Sequence, residues 1–482
     1  MKRIKLLSSL FTFATLATSS AIIVTGCSNE KTKLTAYKWV VSNNYYLQMT
    51  DSQIIERFKD DNIHLPENIW SSDNTSIKIT RDQTDIDHWV ILEVIANSSS
   101  QYYKGSVQVE ITNPIVFENC ILYDNKFYEL KNDINPNLFV TKDNVNTNGY
   151  LKQTLELKNG DTLEIGGSLE DWGKLTDVVL SSLNNDVLEI KDKFLYDCTN
   201  LNLLVLPRTC NITSIGNYFL ANCYHLTNID ITSLTKVTSI GDYFLESCSS
   251  LRIIDLSGLS NLTNVGTYFL ESCKKLTDVN LSNWSKVSTI NESFMENCSN
   301  LTSIDLSDLT NVTSVGSNFL TSCKSLLSID LSAFQKLTKI NHNFLNECKN
   351  LRSINLKYLK NVTEIGDMFL NNCVNLNNID LSPLANVTKI GSSFLSSCDG
   401  LKNIDLSSLV KIENIGTSFL MYCTNLESVT LINKDPTSFS VITNHFMQYV
   451  PDTCNLYTTQ QWLSAYQETD PWKSRSNYIK VK

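Results

Sequence analysis

The sequence predicts a repeat solenoid, and two observations carry that prediction. Ten cysteines recur at an unbroken interval of 25 residues between Cys198 and Cys423. The residues around them recur as well, and one unit reads LTSIDLSDLTNVTSVGSNFLTSCKS from Leu301 to Ser325. A fixed period of this length is typical of chains in which each unit buries its apolar face only against its neighbours. We therefore predict about ten 25-residue units with short parallel strands.

The spacing of apolar residues places the strand at the start of each unit. Leu301, Ile304 and Leu306 form the pattern L-x-x-I-x-L. Ile304 and Leu306 should point inward, because alternate strand residues share a face. The apolar positions that follow, ending at Val315, continue the core around a corner. We therefore expect each unit to form one turn of the coil.

The position after Val315 predicts a change of backbone direction. In successive units this column, meaning the set of equivalent positions, holds only Gly or Asn from Gly216 to Gly416. These are the two residues that most readily accept a positive φ. We therefore predict a left-handed turn at Gly316.

A helical turn is the expectation for the next segment. The column of Ser317 holds mostly residues that are typical of helix N-caps. Phe319 and Cys323 follow at a spacing that places both on one face of such a turn. The sequence therefore predicts Phe and Cys packed side by side in the core.

The cysteine column, Cys198 to Cys423, allows three readings. Free Cys is a small and readily buried side chain, which favours thiols in the core. Stacked strands lie about 4.8 Å apart, so disulfides between neighbouring turns are an alternative. Zinc sites need local clusters such as C-x-x-C, and the sequence contains none. We predict buried free thiols, no metal and no cofactor.

An aspartate column is the candidate binding face. Its residues occupy the outward strand position between the two core residues, and the neighbouring outward positions are mostly Ser, Thr or Asn. One reading is a polar face for divalent cations or a basic partner; the other is a solvated sheet whose Asp and Asn side chains bond to the next strand or to nearby amides. The column consists of Asp230, Asp255, Asn280, Asp305, Asp330, Asn355, Asp380 and Asp405.

Residues 1–27 predict a lipoprotein signal peptide. Lys2, Arg3 and Lys5 precede a stretch of apolar or small residues that ends in VTGC, which looks like a lipobox. Cleavage before Cys27 and acylation of its thiol would leave a lipid anchor. An ordinary secretory signal or an N-terminal membrane helix is the alternative. The lipobox predicts a protein held on the extracellular face of the cell membrane.

The rest of the chain divides by composition and pattern. A capping box at Thr50 and Gln53 predicts a helix near Asp51 to Lys59, and SIKIT, HWVILEVIA and GSVQVEIT predict strands. Asn159-Gly160 between alternating runs predicts a hairpin that covers the first turn. The predicted segments are a tether (28–33), a small α/β domain (34–113), a connector (114–150), an N-terminal cap with a degenerate repeat (151–197), repeats (198–431) and a C-terminal cap (432–482).

Charge and motifs exclude several functions. The formal net charge is −10, whereas binding of nucleic acid phosphates needs a basic footprint. The five histidines are scattered, and no nucleophile motif or phosphate-binding loop is present. We therefore name no catalytic residue and expect no enzyme.

The order of strand, Gly, Phe-Leu-x-x-Cys and Leu-x-x-Ile-x-Leu resembles the BspA-type leucine-rich repeat family. The run TCNLYTTQQWLSAYQETDPWKSRSNYIKVK is similar to that family's end cap, and SSSQYYKGSVQVEIT is similar to a segment of mollicute surface lipoproteins. The resemblance implies a curved right-handed solenoid displayed on a microbial surface.

Adhesion to a host or neighbouring-cell protein or matrix component is the resulting functional expectation. Two alternatives remain. In the first, the chain is a structural coat or immune decoy without a dedicated ligand. In the second, residues 34–150 carry the function and the solenoid is a stalk.

Overall fold

A computed structural model of the chain describes two compact units, Met1–Phe117 and Glu118–Lys482. The predicted leader, Cys27 and most of the predicted tether lie outside the described residues. Among the residues that are described, no helix is both long and apolar enough to cross a bilayer. The described residues are 32–34, 41, 51–62, 65, 67–70, 74–81, 90–100, 103–111, 119–131, 135–139, 152–180, 187–207, 210–442 and 444–482.

The first unit contains the predicted helix and three-stranded sheet. Helix α1 (Asp51–Asp61) buries Ile54 and Phe58, which lie one turn apart on the same face. In the antiparallel sheet, β2 (Val90–Ala96) lies between its neighbours and alternates buried and half-buried residues. The outer strands are β1 (Thr75–Arg81) and β3 (Ser106–Ile111), a short parallel pair joins Thr32–Lys33 to Tyr103–Lys104, and a 3-10 turn spans Glu67–Trp70.

The second unit is a solenoid of about 12 turns, and most turns contribute two short strands; the predicted strand at Leu301 to Leu306 is not formed, nor is its equivalent at 376–381. We call the row of strands that carries the aspartate column sheet A, although it is interrupted between Asn280 and Ser328 and between Asn355 and Asn403. Its parallel strands are Leu175–Leu180, Leu203–Val205, Asn228–Asp230, Ile253–Asp255, Asp278–Asn280, Ser328–Asp330, Ser353–Asn355, Asn403–Asp405, Ser428–Thr430, Asn455–Thr458 and Ile479–Val481. Sheet B contains parallel strands at Glu189–Ile190, Ser214–Ile215, Ser239–Ile240, Asn264–Val265, Thr289–Ile290, Ser314–Val315, Lys339–Ile340, Glu364–Ile365, Lys389–Ile390, Asn414–Ile415 and Ser440–Val441. Residues that lie opposite each other on neighbouring strands are one repeat apart in sequence, as Leu204 and Ile229 are.

The phenylalanine column forms the centre of the core. From Phe194 to Phe446 the rings of successive turns stack with centroids 4.9–6.2 Å apart and interplanar angles of 5–25°. Trp284 and Phe334 pack edge-on against this stack. Each ring buries a large apolar area, and the offset from turn to turn is set by the backbone, so the stack is continuous.

The predicted helical turn is wrong. Asn318, Leu320 and Ser322 have φ values of 61°, 52° and 59°, so the backbone alternates in hand where a helix needs negative φ throughout. The alternation sends the Asn318 amide forward to the His342 carbonyl at 2.9 Å, and the Leu320 amide back to the Phe294 carbonyl at 3.0 Å. We call residues 318–322 and the equivalent residues of the other turns the turn ladder, because their backbone groups bond to both neighbouring turns.

The predicted left-handed turn at Gly316 is also wrong. Gly316 is not among the positive-φ residues. Glycine is favoured because, with the backbone unchanged, a Cβ there would lie 2.5 Å from the Glu292 amide nitrogen of the preceding turn. Where Asn replaces Gly, the side chain contributes a bond of its own: Asn341 Nδ2 donates to the Val315 carbonyl at 2.7 Å. The column therefore records close approach between turns.

The polar column of Ser317 also acts between turns. Asp242 Oδ1 accepts from the Thr267 amide at 2.7 Å, and Asp367 Oδ1 accepts from the Ser392 amide at 2.7 Å. Side chains of the N-cap type therefore satisfy the amide of the next turn, 25 residues on, in place of an amide in their own turn.

The N-terminal cap begins inside the predicted connector. Strands β4 (Asn119–Tyr123) and β5 (Lys126–Glu129) form a hairpin around Asp124 and Asn125, which both have positive φ. Strand β4 then pairs antiparallel with the first strand of sheet A, Leu175–Leu180. The sequence NCILYDNKFYE carries an apolar run on each side of Asp-Asn, which is the hairpin signal that the connector prediction missed.

The predicted Asn159-Gly160 hairpin is confirmed. It joins Lys152–Glu156 to Thr162–Gly166, and one bridge, Leu130 to Leu157, links it to the β4–β5 hairpin. A 3-10 turn (Pro136–Phe139) and a short helix (Leu169–Trp172) complete the cap, and Trp172 is fully buried. The predicted degenerate repeat pairs one residue out of frame with the next unit, Asp177 opposite Leu203.

The C-terminal cap contains, in order, a strand (Asn455–Thr458), a helix, Trp472 and a last strand (Ile479–Val481). The Tyr466 hydroxyl donates to the Ile432 carbonyl at 2.8 Å, and Trp472 packs edge-on against Phe446 at 4.7 Å. Aromatic side chains thus replace the missing next turn. The cap contains the helix Leu463–Glu468 and 3-10 turns at Gln460–Trp462 and Trp472–Tyr478; two further 3-10 turns, at Ser382–Leu384 and Pro436–Ser438, lie in the preceding coil.

Candidate functional site

Six members of the predicted aspartate column lie on the outer face of sheet A, and Asp305 and Asp380 occupy the equivalent positions in the two turns that have no sheet A strand. Its members are exposed or half-buried, and neighbouring members pair directly, as in Asp230 opposite Asp255 and Asp330 opposite Asn355. The column is therefore continuous in space as well as in sequence. Its eight residues are brought together in this sense only, because each occupies a different turn.

Every member of this column closes a local turn. Asp305 Oδ1 accepts from the amide of Ser307 at 2.9 Å, and these bonds lower the pKa of the Asp305 carboxyl. The same bond, to the amide two residues on, recurs at 2.8–3.1 Å in all eight residues. One side-chain oxygen of each residue is thus occupied by a bond that closes the local turn, which supports the structural reading of the column.

Neutral residues limit repulsion along the column. Asn280 Nδ2 donates to Asp255 Oδ1 at 2.9 Å, and Asn355 Nδ2 donates to Asp330 Oδ1 at the same distance. At the far end, Lys482 Nζ lies 3.3 Å from Asp405 Oδ2. Among the described residues, no group of three or more His, Cys, Asp or Glu side chains is arranged to hold a metal ion.

The cysteine column consists of buried free thiols in the structure. From Cys223 to Cys423, each thiol donates to a carbonyl of the preceding turn, as Cys348 Sγ does to Leu320 O at 3.2 Å. Burial raises the pKa of the Cys348 thiol to about 12. A nucleophilic or metal-binding cysteine needs a lowered pKa, so these thiols are chemically inert in the folded chain.

A row of tyrosines on the turn ladder was missed by sequence reasoning. Tyr218, Tyr243 and Tyr268 stack nearly parallel with centroids 4.4 and 4.7 Å apart. Tyr196 packs against Tyr218 at 5.3 Å and 66°. We call Tyr218, Tyr243 and Tyr268 the tyrosine ladder. Its sequence signal is the run GNYFL, GDYFL and GTYFL in three successive units.

A glutamate row lies next to the tyrosine ladder, three positions further along each turn. It consists of Glu246, Glu271 and Glu296. Ser247 Oγ donates to Glu246 Oε1 at 2.7 Å, and Ser272 Oγ donates to Glu271 Oε1 at 2.7 Å. Burial raises the pKa of the Glu246 carboxyl. These carboxylates are thus held in place and partly desolvated.

An open cavity of about 640 Å³ lies at the C-terminal cap, beside Tyr449 and Arg475. The Arg475 guanidinium donates to the carbonyls of Pro451 at 2.9 Å and Val450 at 2.8 Å. These bonds tie the last turn to the cap, so the only arginine that lines the cavity has a structural role.

A family model described as the BspA type leucine rich repeat region matches the chain in overlapping ranges, residues 171–287, 256–360 and 315–450. Together these ranges cover more than half of the chain. A search of curated proteins gave no match. The match coincides with the solenoid and lies outside the first unit.

Solved structures of leucine-rich repeat proteins show weaker likenesses. A protein from Bacteroides ovatus is 17% identical over 86% of this chain and 99% of its own, with a TM-score of 0.39. A cell surface protein from Faecalibacterium prausnitzii is 17% identical over 64% and 82%, with a TM-score of 0.36. The Pneumococcal vaccine antigen PcpA is 16% identical over 62% and 78%, with a TM-score of 0.30. Because these likenesses are weak, the family of the chain is assigned from the family model alone.

Proposed function

This chain belongs to the BspA-type leucine-rich repeat family, and from that premise we propose a surface lipoprotein whose solenoid binds other macromolecules. The coarse part of this function, a repeat protein for protein binding, follows from the family, because leucine-rich solenoids are typically binding scaffolds without enzymatic activity. Lipid anchoring and adhesion are the finer parts of the proposal.

The turn ladder is the observation that supports binding most directly. Its backbone bonds run both ways between turns, as in Leu320 to Phe294 and Asn318 to His342. Because these backbone amides and carbonyls bond to one another, they hold each turn in place without using the outward side chains, which remain available to a partner. A rigid surface that repeats over about 12 turns suits many weak contacts made at once.

Anchoring rests on VTGC and is tested separately from binding. We expect growth with labelled palmitate to label the full chain and Cys27→Ser to abolish the label. We also expect Cys27→Ser to move the protein from the membrane fraction to the medium. A Cys27→Ser protein that stays membrane-bound would favour an uncleaved N-terminal helix.

Adhesion is tested with the full chain displayed on cells. We expect saturable attachment to host cells or matrix proteins, and competition by the soluble Cys27→Ser chain. A Ca²⁺ requirement that disappears in Asp305→Asn with Asp330→Asn would assign the contact to the aspartate column. Loss of attachment only when the first unit is altered would instead support the stalk alternative.

The coat or decoy alternative also has an observation in its favour. The aspartate column, the candidate face, uses one oxygen of each side chain to close a turn, as between Asp405 and Ser407. If the displayed chain attaches saturably to no host cell or matrix protein, adhesion is overturned and the coat function replaces it.

A further inference from the structure

We propose that the tyrosine ladder and the adjoining glutamate row form a docking surface for a basic, arginine-rich polypeptide segment. This inference rests on the proposed function of macromolecular binding and adds its site and the chemistry of its partner. It moves the contact from the predicted aspartate column on sheet A to the turn ladder.

The tyrosine ladder is confined to one part of the coil. The repeat pattern does not need tyrosine there, because later units fold with small, polar or flexible side chains in the same column. Those residues are Ser293, Asn318, Asn343, Met368, Ser393 and Ser418. A feature that three successive units share and six later ones lack is a local addition to the scaffold.

Tyrosine is also suited to binding in this setting. Tyr218, Tyr243 and Tyr268 are half-buried, so each ring has an apolar body packed on its neighbours and an edge that reaches solvent. Stacking holds the rings in fixed positions before any partner arrives, which reduces the entropy lost on binding. Tyrosine is among the residues that most often dominate interface energies.

The charge around the ladder selects the partner. Between residues 192 and 297 the turn ladder, with its flanking polar column, carries seven acidic residues and one basic residue, Lys193. The acidic residues are Asp192, Asp197, Asp242, Glu246, Glu271, Glu292 and Glu296. A partner that covers this surface must carry positive charge, because an acidic or neutral one would bury carboxylates without compensation.

Arginine fits both halves of the surface. Its planar guanidinium can bind a carboxylate with two hydrogen bonds, and its apolar stem can pack on aromatic edges. Glu246 is half-buried and already held by Ser247, so a guanidinium beside it gains more than it would from a fully solvated carboxylate. Lysine, a compact and strongly hydrated charge, gains less from this geometry.

The test uses the full chain and a short synthetic peptide of alternating arginine and serine, with binding measured by calorimetry at physiological ionic strength. We expect Tyr243→Ser with Tyr268→Ser to weaken the peptide's affinity by about tenfold, since loss of interface tyrosines commonly has effects of this size. Glu246→Gln with Glu271→Gln should weaken it to a similar degree. Serine is the natural residue at position 293, so the tyrosine variants should fold, and thermal unfolding checks that they do.

Matched controls separate docking from general attraction to an acidic protein. Glu364→Gln with Glu427→Gln removes the same charge from exposed glutamates elsewhere, and Tyr358→Ser removes an exposed tyrosine outside the ladder. We expect both controls to change affinity by less than about twofold. The peptide with lysine in place of arginine should bind more weakly than the arginine peptide.

Three outcomes would overturn the proposal. They are equal losses in the control and ladder variants, no effect of the tyrosine pair, and binding of a neutral oligosaccharide such as cellohexaose in place of the peptide. Cell attachment that persists in the ladder variants leaves the proposed function standing and this site refuted. Peptide docking without any cell attachment leaves this site standing and refutes the proposed adhesion.

Discussion

The Sγ atom of Cys323 lies 3.2 Å from the carbonyl oxygen of Met295, in the preceding turn. The same bond, at 3.1–3.2 Å, recurs in every turn from Cys223 to Cys423. The column therefore satisfies a row of buried carbonyls as well as filling space, and buried carbonyls are costly to leave unpaired.

Thiol reactivity is the first prediction. Because the cysteine column is fully buried, we expect iodoacetamide to leave it unlabelled in the native chain and to label it fully in guanidinium chloride. Cys210, which is half-buried, should be labelled first among the described cysteines. Mass spectrometry of tryptic peptides measures this directly. Rapid labelling of Cys323 in the native chain would contradict the structure.

Alkaline pH should destabilise the solenoid. Burial raises the pKa of Cys348 to about 12, against 9.0 for an unburied thiol, so the unfolded chain loses this proton first as the pH rises. The stability due to this thiol is therefore full below pH 9 and is lost between pH 9 and about 12. The slope is roughly 1.4 kcal/mol per pH unit for each such thiol.

Urea midpoints at increasing pH test this expectation. Cys323→Ala with Cys348→Ala should be less stable at neutral pH but should lose stability less steeply above pH 9, because two fewer protons differ between the folded and unfolded states. Equal slopes in the variant and the natural chain would show that other groups control the alkaline transition.

The glycine column predicts an order of two substitutions. In Gly316→Ala the new Cβ would lie 2.5 Å from the Glu292 amide nitrogen, so we expect a loss of about 1–3 kcal/mol in unfolding free energy. Gly316→Asn should cost less, because Asn341 shows a side-chain amide bonding to the preceding turn at this position. A Gly316→Ala variant as stable as the natural chain in urea unfolding would refute the close-approach explanation, and equal costs for the two variants would refute the compensation by the asparagine side chain.

The aspartate column predicts a similar contrast. Asp305→Ala removes the acceptor for the Ser307 amide and should cost about 0.5–1.5 kcal/mol. Asp305→Asn should be nearly neutral, because Asn280 makes the same bond to Ser282. The hydrogen bonds lower the pKa of Asp305, so its contribution is present at neutral pH and disappears as the pH falls through that pKa. Urea unfolding of both variants at neutral and acid pH measures these differences.

Apolar spacing was enough to predict which residues of each unit face the core, including the phenylalanine and cysteine columns, because burial depends mainly on which residues face inward. Backbone hand was harder to predict. The identity of Gly316 fits a positive φ and a close approach equally well, and only the position of the preceding turn decides between them. The spacing of Phe319 and Cys323 likewise fits both a helix and an alternating turn.

The site was predicted less completely for a related reason. Attention to sheet A identified the aspartate column, in which the units share Asp or Asn, and the structure shows why they share it: each side chain closes a local turn by accepting from the amide two residues on. The tyrosine ladder is a deviation from the repeat, three units long. A consensus view averages such a deviation away, although surfaces that distinguish one repeat protein from another lie in these deviations.

The alternating turn ladder has a further consequence, at the level of the gene. Its bonds join each turn to its two neighbours in the same way throughout, as Leu320 to Phe294 and Leu345 to Phe319 illustrate. Recombination that deletes or duplicates the codons of one whole repeat would therefore rejoin compatible surfaces, with both capped ends intact. Each such event changes the length of the coil by about 4.8 Å. A lineage could thus vary its reach, or its number of stacked tyrosines, in single steps that preserve folding.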